Sequence, residues 1–336
     1  MPKKVIFDKK NILVIGGAGF IGSHLCDELL KTAKVICLDN FLTGDESNIS
    51  HLYQNSDFVF VNHDINTAID LEKLPELVKF KINFQGIQEI YSLASPDSPK
   101  FYLSHPIETL LANSVGLKNT LELAVKYQAK LIFASSPSVY GEEAGGKLVK
   151  EDFMSRSNQL GPRACYAEAK RFGETLVDSY RKSKQLDAKI VRIFNCYGPR
   201  QTLDDGRMIP EMIKNAVSGE EVTIYGDKKS FGSYFYIADL VKALIKMMES
   251  NEAGPMNIGS DWKITFTEMA QKIIALGGSN SKIKFEKSDW SADQPLADIS
   301  LAKEKLGWFP IILIDEGLKE TIDYLRASQN LLEPKG

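Results

Sequence analysis

Short apolar runs alternate with amphipathic stretches over the first two-thirds of the chain. Asn11 to Ile15, Lys34 to Leu38, Phe58 to Val61, Gln88 to Leu93, Lys130 to Ala134 and Ala188 to Phe194 have strand length and read apolar on both sides. Between them lie segments of helical periodicity. Phe20 to Lys31 carries Ile21, Leu25, Leu29 and Leu30 on one stripe; Ile107 to Tyr127 and Cys165 to Lys184 are longer. Strands apolar on both faces, each followed by a helix, predict an α/β chain with a doubly wound parallel Rossmann sheet. After Asn195, Pro199, Pro210, Gly219, Gly226 and Gly232 cut the chain into shorter pieces. Helical patterns resume at Tyr236 to Met248, Phe266 to Leu276 and Glu316 to Ala327. We therefore expect residues 1–195 to form the sheet domain, with 233–254 returning to it. Residues 196–232 and 255–330 are expected to form a smaller C-terminal lobe. It would sit at the carboxyl edge of the sheet, where ligands of such folds bind.

Composition narrows the classes of function. Over 336 residues, 41 Lys+Arg against 44 Asp+Glu leave a net charge of −3, without the basic excess that a nucleic-acid partner requires. No apolar run approaches the roughly 18 residues of a membrane span. The N-terminal segment has no signal-like apolar core, so the cytoplasm is the expected location. Cys26, Cys37, Cys165 and Cys196 are scattered, as are the four histidines, so neither a disulfide nor a metal site is expected.

The first chemical signal is Gly16-Gly17-Ala18-Gly19-Phe20-Ile21-Gly22, placed between a strand and a helix. Glycines at this spacing let the backbone approach a pyrophosphate, whose charge then rests on the helix N-terminus. Asp39 ends the next strand about 20 residues on, where a carboxylate accepts from a ribose 2′-hydroxyl and repels a 2′-phosphate. The cofactor expected is NAD. Asp64 ends the third strand and could reach the adenine edge or simply cap its own turn.

The second signal is Tyr166 and Lys170, four apart on one helix face. A phenol of pKa about 10 is a poor base at neutral pH. A neighbouring ammonium stabilises its ionised form. Ser135 and Ser136 follow the strand Lys130 to Ala134, and Ser136 is the favoured partner to hold a substrate oxygen. The chemistry implied is hydride transfer, with Tyr166 taking the proton of a sugar hydroxyl to leave a 4-keto intermediate.

These stretches, together with Asp39-Asn40-Phe41-Leu42-Thr43-Gly44, Leu93-Ala94-Ser95-Pro96, Gly161-Pro162-Arg163-Ala164-Cys165-Tyr166 and Asn195-Cys196-Tyr197-Gly198-Pro199-Arg200, resemble the extended short-chain dehydrogenases that modify nucleotide sugars. The scaffold is most similar to the UDP-glucuronate decarboxylases. The resemblance implies a cofactor set of Gly16, Gly19, Phe20, Ile21, Asp39, Asn40, Asp64, Ile65, Leu93, Ala94 and Ser95 with Tyr166 and Lys170. It implies Ser136, Tyr166 and Lys170 as the catalytic group. Ser95, Ser136, Ser138, Arg163, Asn195 and Arg207 become the candidate substrate contacts. It also implies a homodimer built on Ile107 to Tyr127 and Cys165 to Lys184.

Three departures from the family pattern stand out. Pro137 and Ser138 replace the Ser-Glu pair of decarboxylases, in a run that looks more like the 4-epimerases. Gly232 and Pro295 stand where phosphate-gripping arginines are expected, and no arginine lies from Lys228 to Asp239 or from Ser288 to Asp298. Lys228, Lys229, Arg163, Arg200 and Arg207 are the candidate replacements. The first reading is a nucleotide-sugar 4-epimerase. The alternatives are a UDP-glucuronate decarboxylase, an enzyme of this type acting on a less charged sugar, and an NAD-binding scaffold without turnover.

Overall fold

A computed structural model describes residues 9–154, 156–287 and 294–332. Its centre is a seven-stranded sheet of β1 (Asn11–Ile15), β2 (Lys34–Asp39), β3 (Phe58–Asn62), β4 (Glu89–Ser92), β5 (Lys130–Ser135), β6 (Ala188–Ile193) and β7 (Met256–Ile258). The order is β7-β6-β5-β4-β1-β2-β3, and every pairing is parallel. The direction of winding reverses between β1 and β4. A doubly wound sheet opens its ligand crevice at that reversal.

The apolar runs are buried on both sides because alternate residues feed two cores. Ile12, Val14, Val35 and Cys37 pack on one face; Leu13, Ile15, Ile36 and Leu38 pack on the other. Helix α1 (Phe20–Leu29) contributes Leu25, Cys26 and Leu29 to the first core. The second is covered by α2 (106–127) and α3 (Ala164–Lys184), through Leu117, Leu121 and Val177. Helix α4 (Met208–Val217), α5 (Ile237–Glu249), α6 (Phe266–Leu276) and α7 (Ile314–Leu332) follow. Cys26 and Cys37 are buried free thiols, and all four cysteines are free.

The structure corrects two boundaries. Helix α2 is not uniform: Pro106–Leu111 and Leu117–Tyr127 flank a π-helical turn, Ala112–Gly116. Asn113 in that turn is buried and donates to Thr109 O at 2.9 Å and to Ser95 Oγ at 2.8 Å. The widened turn therefore aims a polar side chain at the cavity wall, which periodicity alone does not reveal. The return to the sheet also runs past residue 254. Met256–Ile258 pairs with Val191 to Ile193 as the edge strand, although three residues are too few to show a strand pattern.

Candidate active site

The loops at the carboxyl ends of β1, β2, β4 and β5 enclose a cavity of about 1260 Å³, and every residue of the cofactor, catalytic and substrate-contact sets named above lines it. Pockets for small ligands usually span about 300–1,000 Å³, so this one has room for a dinucleotide and a second molecule.

One end is a cradle. Gly16 adopts φ +80°, and its N–H donates to Leu38 O at 2.8 Å. A Cβ there would stand 2.7 Å from the Ala94 backbone nitrogen. The turn is thus closed down between β1, β2 and the loop after β4. Helix α1 begins at Gly19 with no side-chain cap and no acid in its first turn. Its leading N–H groups are left for an external anion. Asp39 is buried, with Oδ2 accepting from Ala18 N at 3.0 Å and Oδ1 from Phe41 N at 2.9 Å. Burial pushes its carboxyl pKa up, while the backbone N–H groups of Phe41, Ala18 and Asn40 oppose that shift. Lone pairs remain for a diol. A side-chain-free floor, an uncapped helix start and a carboxylate at the sheet end fit the pyrophosphate and ribose of NAD. Asp64 is exposed at the rim, and Oδ1 accepts from Asn66 N at 2.9 Å, so part of its capacity caps its own turn.

The reacting groups lie further along. Ser136, just after β5, accepts from Ser138 N at 3.2 Å through Oγ and lines the cavity with Tyr166. Tyr166 stacks on Tyr102, with ring centroids 5.0 Å apart. Lys170 is buried and donates from Nζ to Ala134 O at 2.9 Å, with Nζ 5.7 Å from the Tyr166 ring centre. Burial first, and then the Asp97 carboxylate, push the Tyr166 phenol above its ordinary value; Ser136 and Arg207 oppose them. Burial brings the Lys170 ammonium down to about 8, against the pull of Asp97 and Glu174. A ligand that adds positive charge beside Tyr166 would lower the cost of ionising it.

At the far end, Asn195 donates through Nδ2 to Gln294 Oε1 at 2.6 Å and to Ser233 O at 3.2 Å. A Cβ on Gly232 would meet the Tyr234 ring at 2.9 Å, Gln294 at 3.2 Å and Phe266 at 3.2 Å. Aromatic and amide groups therefore fill the region where an arginine was expected. Of the candidate replacements, Arg163 and Arg207 line the cavity. Lys228 and Lys229 do not, and Arg200 lies elsewhere, paired with Asp27 at 2.7 Å.

Asp97, Tyr234 and Gln294 are among the cavity residues that escaped the sequence reading. Asp97 pairs with Arg207, 110 positions away, so no local spacing marks it. Its one available signal was a charge two residues beyond Ser95, in a loop between Pro96 and Pro99.

A profile of the NAD dependent epimerase/dehydratase family matches residues 12–259. UDP-glucuronic acid decarboxylase 1 of Xenopus tropicalis is 37% identical over 321 residues, which cover 95% of this chain and 73% of the relative. The UDP-glucose 4-epimerase of Thermotoga maritima, solved with UDP-glucose, is 28% identical with a TM-score of 0.82, over 95% of this chain and 99% of that one. The UDP-glucuronic acid 4-epimerase of Bacillus cereus, solved with UDP-glucuronic acid and NAD, is 30% identical with a TM-score of 0.81 over the same shares, 95% and 99%.

Proposed function

The chain belongs to the NAD-dependent epimerase/dehydratase family, and from that premise we propose that it epimerises C4 of a nucleotide-linked sugar through a transient 4-keto intermediate. It is an extended short-chain dehydrogenase/reductase-type enzyme that uses NAD. Bound NAD supplies the chemistry of taking a hydride from C4 and returning it. The protein's part is acid–base and positional. Tyr166 takes the proton of the C4 hydroxyl as the C4–H bond breaks, and gives it back when that bond is remade on the opposite face. Ser136 holds the same oxygen. Lys170 lowers the cost of the phenolate.

The observation that carries this reading is the make-up of the reacting end. Ser136, Tyr166 and Lys170 converge, while the two positions directly after Ser136 hold Pro137 and Ser138 and no acid. Interconversion of C4 epimers needs one acid–base group. Elimination of water needs a second, and Asp97, the nearby carboxylate, is tied to Arg207. Identity to the decarboxylases supports a second reading, loss of CO₂ from a hexuronate. The Gly232 environment favours a third, a less charged sugar partner.

Product analysis by NMR on the NAD-loaded protein separates these. Epimerisation yields a C4 epimer of unchanged mass; decarboxylation yields a pentose and CO₂. Tyr166→Phe should lower turnover by about 10²–10⁴-fold while leaving NAD binding intact. A pentose product would refute the epimerase reading.

We also propose a homodimer. Ile107, Leu110, Leu111 and Val115 on α2 and Phe172 on α3 are exposed, Ile107 at 65% and Phe172 at 50%. Adjacent helices presenting such side chains suit burial against the same pair in a second copy. Among the described residues, no helix is long and apolar enough to cross a membrane.

A further inference from the structure

Arg207 projects into the cavity but is already engaged. Its Nη2 lies 2.7 Å from Asp97 Oδ1 and its Nη1 3.3 Å from Asp205 Oδ2, and its backbone N–H donates to Asp205 Oδ1 at 3.0 Å. Asp205 is buried, so it is held in place; Asp97 faces the cavity on the same wall as Tyr166. Two carboxylates around one guanidinium give this cluster a formal charge of −1. The cavity also presents hydroxyls that have no partner among the described residues: Ser98, Ser138 and Tyr234, of which Ser98 and Tyr234 are more than nine-tenths buried. What this region offers a ligand is a set of neutral hydrogen-bonding groups beside a satisfied cation.

We propose that Asp97 is a specificity-determining residue, which turns Arg207 away from substrate carboxylates and restricts the reacting sugar to hexopyranoses uncharged at C5. The inference rests on the nucleotide-sugar reading above. A hexuronate bound with its C4 hydroxyl at Tyr166 and Ser136 would set its own carboxylate near that of Asp97. It would have to accept like-charge repulsion or displace Asp97 from Arg207. A hydroxymethyl group meets neither obstacle and can use the unpartnered hydroxyls. Specificity of this kind comes from the repulsive element as much as from the attractive one.

The test is calorimetric titration of the NAD-loaded full chain with UDP-glucose and with UDP-glucuronate, on the wild type and on Asp97→Asn. The amide keeps the shape of the side chain and removes its charge. The wild type should bind the hexose at least about tenfold more tightly, and D97N should improve uronate affinity by about tenfold with little change for the hexose. Asp97→Ser, read in the same way, serves if the amide variant fails to fold. Uronate binding equal to or tighter than hexose binding in the wild type, or an unmoved ratio in the folded variant, overturns the inference and leaves the nucleotide-sugar reading standing. Failure of both sugars, and of their CDP, GDP and dTDP counterparts, to bind overturns that reading and this inference with it.

Discussion

The carboxylate of Glu174 links the stability of the sheet edge to the reacting group, and its replacement by glutamine tests both. Glu174 on α3 accepts from Arg192 on β6 at 2.9 Å (Nε) and 2.7 Å (Nη2), and from Ser135 Oγ at 2.5 Å. The two charged side chains are 14% and 11% exposed. Arg192 also donates to Tyr140 Oη at 2.9 Å and to Glu151 O at 2.8 Å. Charge centres about 4 Å apart attract by about 4 kcal/mol at an effective dielectric of about 20. Removing one partner of a buried pair costs about 3–5 kcal/mol, because the other charge is stranded. Glutamine retains neutral hydrogen bonds, so we expect a loss of about 3 kcal/mol in urea denaturation. A double-mutant cycle with Arg192→Met should show coupling of about 2 kcal/mol. The same variant should move the pH dependence of turnover. Burial lowers Lys170 to about 8, and Glu174 is one of two carboxylates that oppose this. Without it Lys170 falls further, and the alkaline limb of activity shifts to lower pH. Stability has the opposite sign. The folded value lies below the 10.5 of a free lysine, so the unfolded chain binds more protons from pH 8 to 10.5, and this group makes stability rise with pH there. A loss below about 1 kcal/mol, or additivity within about 0.5 kcal/mol in the cycle, would refute the reasoning.

Three further perturbations probe the cradle and the helix faces. A Cβ on Gly22 would stand 2.1 Å from Gly16 O, a backbone atom that cannot swing aside, so Gly22→Ala should weaken NAD binding by about tenfold or more and lower the melting temperature. Unchanged calorimetric affinity would show that the turn tolerates displacement. Asp39→Asn removes the charge that repels a 2′-phosphate, and the NAD-to-NADP affinity ratio should fall by about tenfold or more, a change that fluorescence titration of both cofactors would detect. Combined Ile107→Glu and Phe172→Glu should yield a monomer by light scattering with the circular dichroism spectrum retained. A dimer that persists would place the interface elsewhere.

The sequence alone carried the architecture and the cofactor end of the site, because both are encoded locally. Strand runs such as Asn11 to Ile15 and the stripe of α1 follow from which side chains must leave water. Gly16, Gly19 and Asp39 sit at separations set by one strand–turn–helix–strand unit. Tyr166 and Lys170 share a face through helix geometry alone. The substrate end was legible only as departures at Pro137, Ser138, Gly232 and Pro295, without their consequences. Those consequences depend on contacts between distant segments. Gln294 reaches Asn195 across 99 positions, and Tyr234 and Phe266 fill the space beside Gly232. Asp97 meets Arg207 only because the loop after β4 and the segment before α4 converge over the same sheet edge. Periodicity and spacing report what each element buries, whereas the charge and shape of a cavity wall are decided by which loops the closed sheet brings face to face.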